Sequence, residues 1–230
     1  MSDHTHLSGG KAAGSIEPSA LKPYRTVGKA SETEYVVNRS RFIGRCFPVS
    51  DEAEALNILE RIRKQHWDAT HNCFAYRLKN GAARYSDDGE PQGTAGLPMM
   101  EVLKKRDLYD LLIISTRYFG GILLGAGGLV RAYTRSASDA VEAAGLVSME
   151  PCTLFSVSVP YPYRNAVWSV FERFGAIEHA EYGEAITCAF RCRTKDADAF
   201  LNALTERTEG RVDAKKRGEG YFGFPMTEDA

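Results

Sequence analysis

Three carboxylates stand close together in the segment 84–103: Asp87, Asp88 and Glu90. Hard divalent cations prefer clustered oxygen donors, and paired carboxylates can also serve as general acid and base. The same Asp-Asp-Gly sequence is ordinary turn chemistry, and no EF-hand spacing follows it. The pattern leaves a metal or acid–base site open but favours a turn, in which the carboxylates organise the loop. The acids could instead pair with the Arg117 and Arg131 guanidiniums in a charge-assisted network that rigidifies the loops. Gly93 and Thr94 follow at or near the start of a predicted helix.

A second unusual segment, 117–133, begins with Arg117, Tyr118 and Phe119 and then becomes rich in glycine. The glycines that precede Arg131 are Gly120, Gly121, Gly125, Gly127 and Gly128. Glycine lets backbone amides approach a phosphate at a helix N-terminus. No Gly-Lys-Ser/Thr is present, and Val130 stands where a dinucleotide fingerprint would need a small residue. A phosphate or RNA-backbone site flanked by arginines remains open, and so does simple close packing of the backbone.

Nucleophilic catalysis would need a nucleophile beside a base. The candidate nucleophiles are Ser86, Thr94, Thr116 and Cys73, with His71 or His66 as the base. Proximity in sequence does not define a triad, so no catalytic residue is predicted. The aromatic pair at 118–119 could stack on nucleic-acid bases or enter a partner's pocket, and it could equally fill the core at a strand end.

The composition limits the partners and the compartment. The chain has 29 basic and 30 acidic side chains in 230 residues, so any binding to nucleic acid or an anionic membrane must be local. Five cysteines without a CxxC pair indicate neither a disulfide framework nor a zinc ribbon, which fits a reducing cytoplasm. No apolar leader or long apolar run is present, so no membrane partner is predicted. Residues 1–22 are interpreted as a flexible tail.

Hydrophobic periodicity predicts the elements that position the two segments. Residues 35–49 predict two strands with a turn at 38–40, and Ser50 is predicted to cap an amphipathic helix that follows it. Residues 72–78 predict a strand that a hairpin turn joins to 82–85, and residues 97–105 predict a helix. The apolar run 109–116 predicts a central strand buried on both faces, and a helix then continues to Gly145 as its C-cap.

The second half of the chain has a different pattern. Strands are predicted at 153–159, 176–182, 185–193 and 211–216, with helices at 163–174 and 196–208. This is the β-α-β-β-α-β order of ferredoxin-like domains. Cys188 and Cys192 share one face of their strand with Phe190, so a place in the core is expected for both rather than metal binding.

The strings YSDDGEPQGTAGLP (85–98) and RYFGGILLGAGGLVRAY (117–133) closely resemble the YigZ/IMPACT family. The resemblance extends over residues 30 to 220. It implies an α+β fold of two domains: a ribosomal protein S5 domain 2-like domain at 23–149 and a ferredoxin-like βαββαβ domain at 150–220, followed by a tail at 221–230. This pairing is similar to domains IV and V of elongation factor G.

The resemblance also implies a role in translation. Eukaryotic IMPACT members restrain a starvation-responsive kinase by binding its activator, and bacterial members are proposed to bind nucleic acid or ribosomes. The sequence-based prediction is therefore a cytoplasmic, translation-associated regulatory factor that binds RNA or the ribosome. Its binding face is expected to comprise Arg84, Asp87, Asp88, Glu90, Gly93, Thr94 and the residues named above between Arg117 and Arg131. A metal-dependent, dipeptidase-like hydrolase built on the acidic cluster and a protein–protein interaction module are the alternatives. No metal or cofactor is predicted.

Overall fold

The computed structural model describes residues 21–226, so residues 1–20 of the predicted tail at 1–22 lie outside this range. The described chain divides into two compact units. The N-terminal unit comprises residues 23–150 together with 223–226, and the C-terminal unit comprises residues 151–222 together with 21–22.

The N-terminal unit contains six strands and three α-helices. In chain order they are β1 (Tyr24–Val27), β2 (Ser31–Val37), β3 (Ser40–Pro48), α1 (Glu52–Gln65), β4 (His71–Arg77), β5 (Ala83–Ser86), α2 (Gly96–Lys105), β6 (Leu111–Tyr118) and α3 (Gly125–Ala144). Five of the strands form a sheet in the order β2-β3-β6-β4-β5, in which every neighbouring pair is antiparallel. Strand β6 therefore lies at the centre of this sheet.

Both faces of β6 are covered, as its uninterrupted apolar sequence predicts. Leu112 and Ile114 pack in a cluster with Leu59 of α1. Leu111 and Ile113 lie in a larger cluster that contains the buried residues of α2 and α3. The sheet is thus a middle layer with α1 on one face and α2 with α3 on the other, an arrangement that follows from the alternation of side chains along a strand.

Helix α1 begins one residue later than the predicted cap. The side chain of Asp51 accepts the backbone N–H of Glu54 at 2.8 Å, so Asp51 is the N-cap. Ser50 precedes the cap, and its N–H and hydroxyl both donate to the Glu54 carboxylate. The prediction of Ser50 as the N-cap is wrong because both residues have capping side chains and the chain turns at the second.

The C-terminal unit confirms the predicted β-α-β-β-α-β order. Its elements are β7 (Leu146–Val159), α4 (Arg164–Phe174), β8 (Gly175–Tyr182), β9 (Ile186–Arg193), α5 (Ala197–Thr208) and β10 (Ala214–Pro225). The sheet order is β10-β7-β9-β8. Because β10 continues to Pro225, the predicted tail is wrong for residues 221–225. Two further elements were not predicted: β1, and the first part of β7, which pairs with it.

Candidate functional site

Asp87 shapes the acidic loop between β5 and α2. Its carboxylate accepts three backbone N–H groups: Gly93 at 2.8 Å, Ala95 at 3.1 Å and Gly96 at 2.8 Å. The last two belong to the start of α2, so Asp87 satisfies orphan amides and complements the helix dipole. A charge-assisted bond of this kind contributes roughly 1.5–3 kcal/mol. Both oxygens are therefore engaged by the loop itself.

Asp88 ties the same loop to β4 and α1. It adopts a left-handed conformation with a φ of 45°, which Asp tolerates better than most residues. One carboxylate oxygen accepts Arg63 Nη2 at 2.7 Å and the other accepts the Asn72 N–H at 2.7 Å. The carbonyl of Asp88 accepts His71 Nδ1 at 2.8 Å. Asp88 thus anchors the loop and fixes the orientation of the His71 ring.

Glu90 and Arg117 form a buried ion pair. Arg117 Nη1 lies 2.6 Å from Glu90 Oε1, and the two side chains are only 6% and 3% exposed. The same oxygen accepts Tyr133 Oη at 2.7 Å, and Arg117 Nη2 donates to Ser40 at 3.3 Å. The Phe42 ring centroid is 5.4 Å from the guanidinium carbon. Of the two sequence-based alternatives for Arg117, the structure shows pairing with the acidic cluster rather than an exposed phosphate ligand, because the charge of Arg117 is neutralised inside the unit.

The neighbouring Cys73 is not a reactive thiol. It is fully buried, and its Sγ donates to the Asp87 carbonyl at 3.0 Å. Burial raises the pKa of the Cys73 thiol well above its usual range, and the nearby Glu90 carboxylate raises it further. The thiolate is the nucleophilic form of cysteine, so this environment disfavours a Cys73 nucleophile. The other two hydroxyl groups also make structural hydrogen bonds. Ser86 Oγ accepts the Asp88 N–H, and Thr116 Oγ1 donates to Asn72 Oδ1.

The glycine-rich loop follows directly from the end of β6. A Cβ on Gly120 would lie 2.1 Å from the backbone carbon of Arg39, so the two loops touch through main-chain atoms. Gly121 and Gly125 have φ values of 82° and 68°, a region that favours glycine. At these three positions the glycines are needed for the path of the chain.

The first turn of α3 has a different character. No side chain caps it, and no acidic residue occupies it. A Cβ on Gly127 would meet only Arg131 Nη1, at 3.6 Å, so the guanidinium lies over this bare turn. A cation beside the positive end of a helix dipole is unfavourable unless an anion is also present. Uncapped N–H groups, an open glycine and an arginine together form an arrangement that suits an anion.

A pocket of about 350 Å³ lies between the acidic and glycine-rich loops. Its polar floor is formed by His71, Glu90 and Arg117, and the first turn of α3 borders it at Gly125. Its apolar wall includes Leu123, which is 84% exposed, and Phe119, which is 45% exposed. The two segments singled out in the sequence therefore meet at one concave site.

The other predicted residues lie around this pocket rather than in it. Asp87 and Asp88 support its acidic loop from behind, and Thr94 is buried with its hydroxyl bonded to the Pro91 carbonyl at 2.6 Å. Arg84 is exposed on β5, with its guanidinium 6.0 Å from the Phe74 ring on the α1 face of the sheet. The structure therefore separates Arg84 from the pocket.

Tyr118 belongs to a second polar network, on the α1 side of the sheet, that sequence reasoning missed. Arg45 is 3% exposed, and its Nη2 lies 2.7 Å from His66 Nε2. His66 Nδ1 is 2.9 Å from Tyr118 Oη, which donates to Asp68 at 3.2 Å. Burial and the Arg45 charge lower the pKa of His66. The members come from β3, β6 and the turn after α1, and no local spacing signals that they meet.

Within residues 21–226, no three His, Cys, Asp or Glu side chains cluster in a way that could hold a metal ion. The same part of the chain contains no helix that is both long and apolar enough to cross a membrane.

The fold defines a two-domain α+β protein with a pocket between the acidic and glycine-rich loops. Comparisons with known proteins identify its family. The model described as "Impact N-terminal domain" matches residues 38–141, and a "Domain of unknown function (DUF1949)" matches residues 159–211. The IMPACT family member YvyE of Bacillus subtilis is 41% identical over 199 residues, covering 85% of this chain and 92% of the relative. The chain belongs to the IMPACT family.

Two further similarities agree with this assignment. The IMPACT family member YigZ of Escherichia coli is 34% identical over 129 residues, which covers 54% of this chain and 63% of that protein. A crystal structure of a hypothetical protein superposes with a TM-score of 0.55 at 25% identity, covering 84% of this chain and 97% of that one. The predicted family and the predicted two-domain α+β fold are confirmed.

Proposed function

We propose that this protein is a cytoplasmic, translation-associated regulatory factor that binds single-stranded RNA, free or within the ribosome, at the pocket between the acidic and glycine-rich loops. One observation carries the proposal: the uncapped first turn of α3, with Arg131 over it, lies beside a pocket whose wall includes an exposed aromatic ring. The arrangement provides one place for a phosphate and another for a base.

The roles of the parts follow from their exposure. Backbone N–H groups of the glycine turn and the Arg131 guanidinium would hold a phosphate oxygen. Phe119 would offer its ring to a base, since every base has a π-face and such stacking contributes about 1–3 kcal/mol per base. Glu90 and Arg117 neutralise each other, so they contribute to the shape and polarity of the floor rather than to the net charge.

The test is the affinity of the full chain for a fluorescent single-stranded RNA, measured by anisotropy over a range of salt concentrations. Arg131→Ala should weaken binding at low salt and reduce the slope of log K against log salt by about 1, because one phosphate contact is lost. Phe119→Ala should weaken binding about tenfold with little change in the slope.

Matched control variants lie in the C-terminal unit. Arg207→Ala removes an exposed arginine of α5, and Tyr182→Ala removes an aromatic side chain that is 66% exposed. Neither should change the affinity or the salt slope. Binding that does not respond to salt, or pocket variants that match these controls, would refute the assigned site.

A protein-interaction role is the second candidate, and a specific observation favours it. Leu123 is 84% exposed beside the half-exposed Ile122, and Trp67, after α1, is 83% exposed. Exposed apolar side chains at a loop mark surfaces that a partner can cover. On this alternative, Leu123→Asp abolishes co-sedimentation with purified ribosomes while the affinity for free RNA is unchanged. The metal-dependent hydrolase has no comparable supporting observation.

A further inference from the structure

The floor of the pocket contains a buried carboxylate with one oxygen left open. Glu90 Oε1 accepts both Arg117 and Tyr133. Glu90 Oε2 accepts no hydrogen bond from residues 21–226; it faces His71 Nε2 at 3.8 Å, which is beyond hydrogen-bond length. The Glu90 side chain lines the pocket, so Oε2 is an acceptor that a bound ligand can reach.

The tautomer of His71 follows from its other contact. Its Nδ1 lies 2.8 Å from the carbonyl oxygen of Asp88, and a carbonyl can only accept. The proton of the neutral ring therefore resides on Nδ1, and Nε2 presents a lone pair. Two acceptors, Glu90 Oε2 and His71 Nε2, thus face each other at 3.8 Å across the pocket floor.

We propose that this floor binds the exocyclic amino group of an unstacked nucleobase; the inference rests on the proposed RNA-binding function and names what the site selects. An amino group carries two divergent N–H donors and can satisfy both acceptors at once. Carboxylates accept the amino group of cytosine in the same way at other protein–nucleic-acid interfaces. The apolar wall at Phe119 and Leu123 would cover the two faces of the ring, and about 350 Å³ is within the size range of ligand pockets.

The pocket should therefore discriminate between pyrimidines. Cytosine has an amino group where uracil has a carbonyl oxygen, and the rings are otherwise nearly the same size. A uracil in the same pose would place that oxygen against Glu90 Oε2 and His71 Nε2, which leaves all three acceptors without donors. Single-base discrimination of this kind is expected to be about tenfold.

The experiment compares the affinity of the wild-type chain for 12-nucleotide oligo(C) and oligo(U) at one salt concentration and neutral pH. Tighter binding of oligo(C) by about tenfold is the expected result. Equal affinities, both lost in Phe119→Ala, would overturn this inference and leave the proposed function standing. If neither oligomer binds, the proposed function fails and this inference fails with it.

Variants of His71 test the assignment of the floor. His71→Asn keeps an N–H group that can donate to the Asp88 carbonyl but has no acceptor in the place of Nε2, so the preference for oligo(C) over oligo(U) should shrink to what Glu90 Oε2 alone supports. His71→Ala should do the same, and circular dichroism verifies that each variant is folded. His179→Ala, on the exposed strand β8, is the control and should keep the preference. A preference that stays undiminished in both His71 variants would contradict the assignment, and the wild-type comparison needs no variant at all.

Discussion

The two units of this chain differ in whether their interiors contain charged side chains. The N-terminal unit buries three charged side chains, Arg45, Glu90 and Arg117. No charged residue between 151 and 222 is buried, and the C-terminal unit instead packs phenylalanine rings, with Phe171 and Phe190 stacked at 4.3 Å between centroids. Burying an ion costs several kcal/mol before any pairing, whereas burying a ring is favourable by itself. Stability alone therefore does not account for the charges of the N-terminal unit.

The location of the three buried charges indicates why the N-terminal unit contains them. Arg117 is the penultimate residue of β6 and lines the pocket. On the opposite face of the same end of β6, Arg45 Nη1 donates to Thr116 Oγ1 at 3.1 Å. All three buried charges are thus gathered near one end of the central strand. The buried charges therefore lie where the acidic loop and the glycine-rich loop meet, apart from the apolar clusters of the same unit.

The largest expected effect comes from leaving one buried charge unpaired. Arg117→Ala should destabilise the N-terminal unit by about 3–5 kcal/mol, because Glu90 loses its counter-ion and stays largely buried. Hydrogen exchange measured by mass spectrometry under increasing urea reports each unit separately. Peptides from residues 23–150 should lose protection early, and those from residues 151–222 should keep theirs.

The matching double variant separates pairing from packing. Glu90→Gln with Arg117→Met keeps an acceptor for Tyr133 and removes both charges. It should recover most of the lost stability, since replacing a buried pair by groups of similar volume is often neutral. If the double variant were as unstable as Arg117→Ala, the loss would come from packing, and the contrast between the two interiors would not be electrostatic.

The sequence predicted the central strand, the flanking helices and the structural role of Asp87 and Asp88, because each depends on local pattern or turn chemistry. It offered pairing between the acidic cluster and Arg117 only as an alternative, and it did not single out Glu90 as the partner. The strand was predicted to end at Thr116, whereas β6 continues to Tyr118. Strict alternation from Ile113 through Arg117 would have turned that arginine toward α2 and α3.

The second polar network shows a limit of another kind. Arg45, His66 and Tyr118 are separated by 21 and 52 residues along the chain, and only the antiparallel register of β3 on β6 and the packing of α1 bring them together. Each is an ordinary residue in its own segment. Such contacts depend on the assembled sheet, so periodicity within a window cannot reveal them.

A smaller effect is expected where the two loops touch. A Cβ on Gly120 would lie 2.1 Å from backbone atoms of Arg39, and neither backbone can move aside freely. Gly120→Ala should cost about 1–3 kcal/mol, as overpacking does, and should displace the pocket wall next to Phe119. Urea denaturation measures the loss of stability, and RNA anisotropy should show weaker binding. A variant with wild-type stability would mean that the contact between these loops is loose.

The smallest change in stability is expected at Gly127, and it should be opposite in sign to the change in function. The added methyl would meet only the Arg131 guanidinium, at 3.6 Å, and alanine is favoured over glycine within a helix by up to about 1 kcal/mol. Gly127→Ala should therefore stabilise the N-terminal unit slightly. The methyl would also cover the bare turn where we place a phosphate, so RNA affinity should fall. A gain in stability with unchanged RNA affinity would mean that the phosphate does not bind at this turn. A gain in stability with weaker RNA binding would mean that Gly127 serves binding at the expense of helix stability.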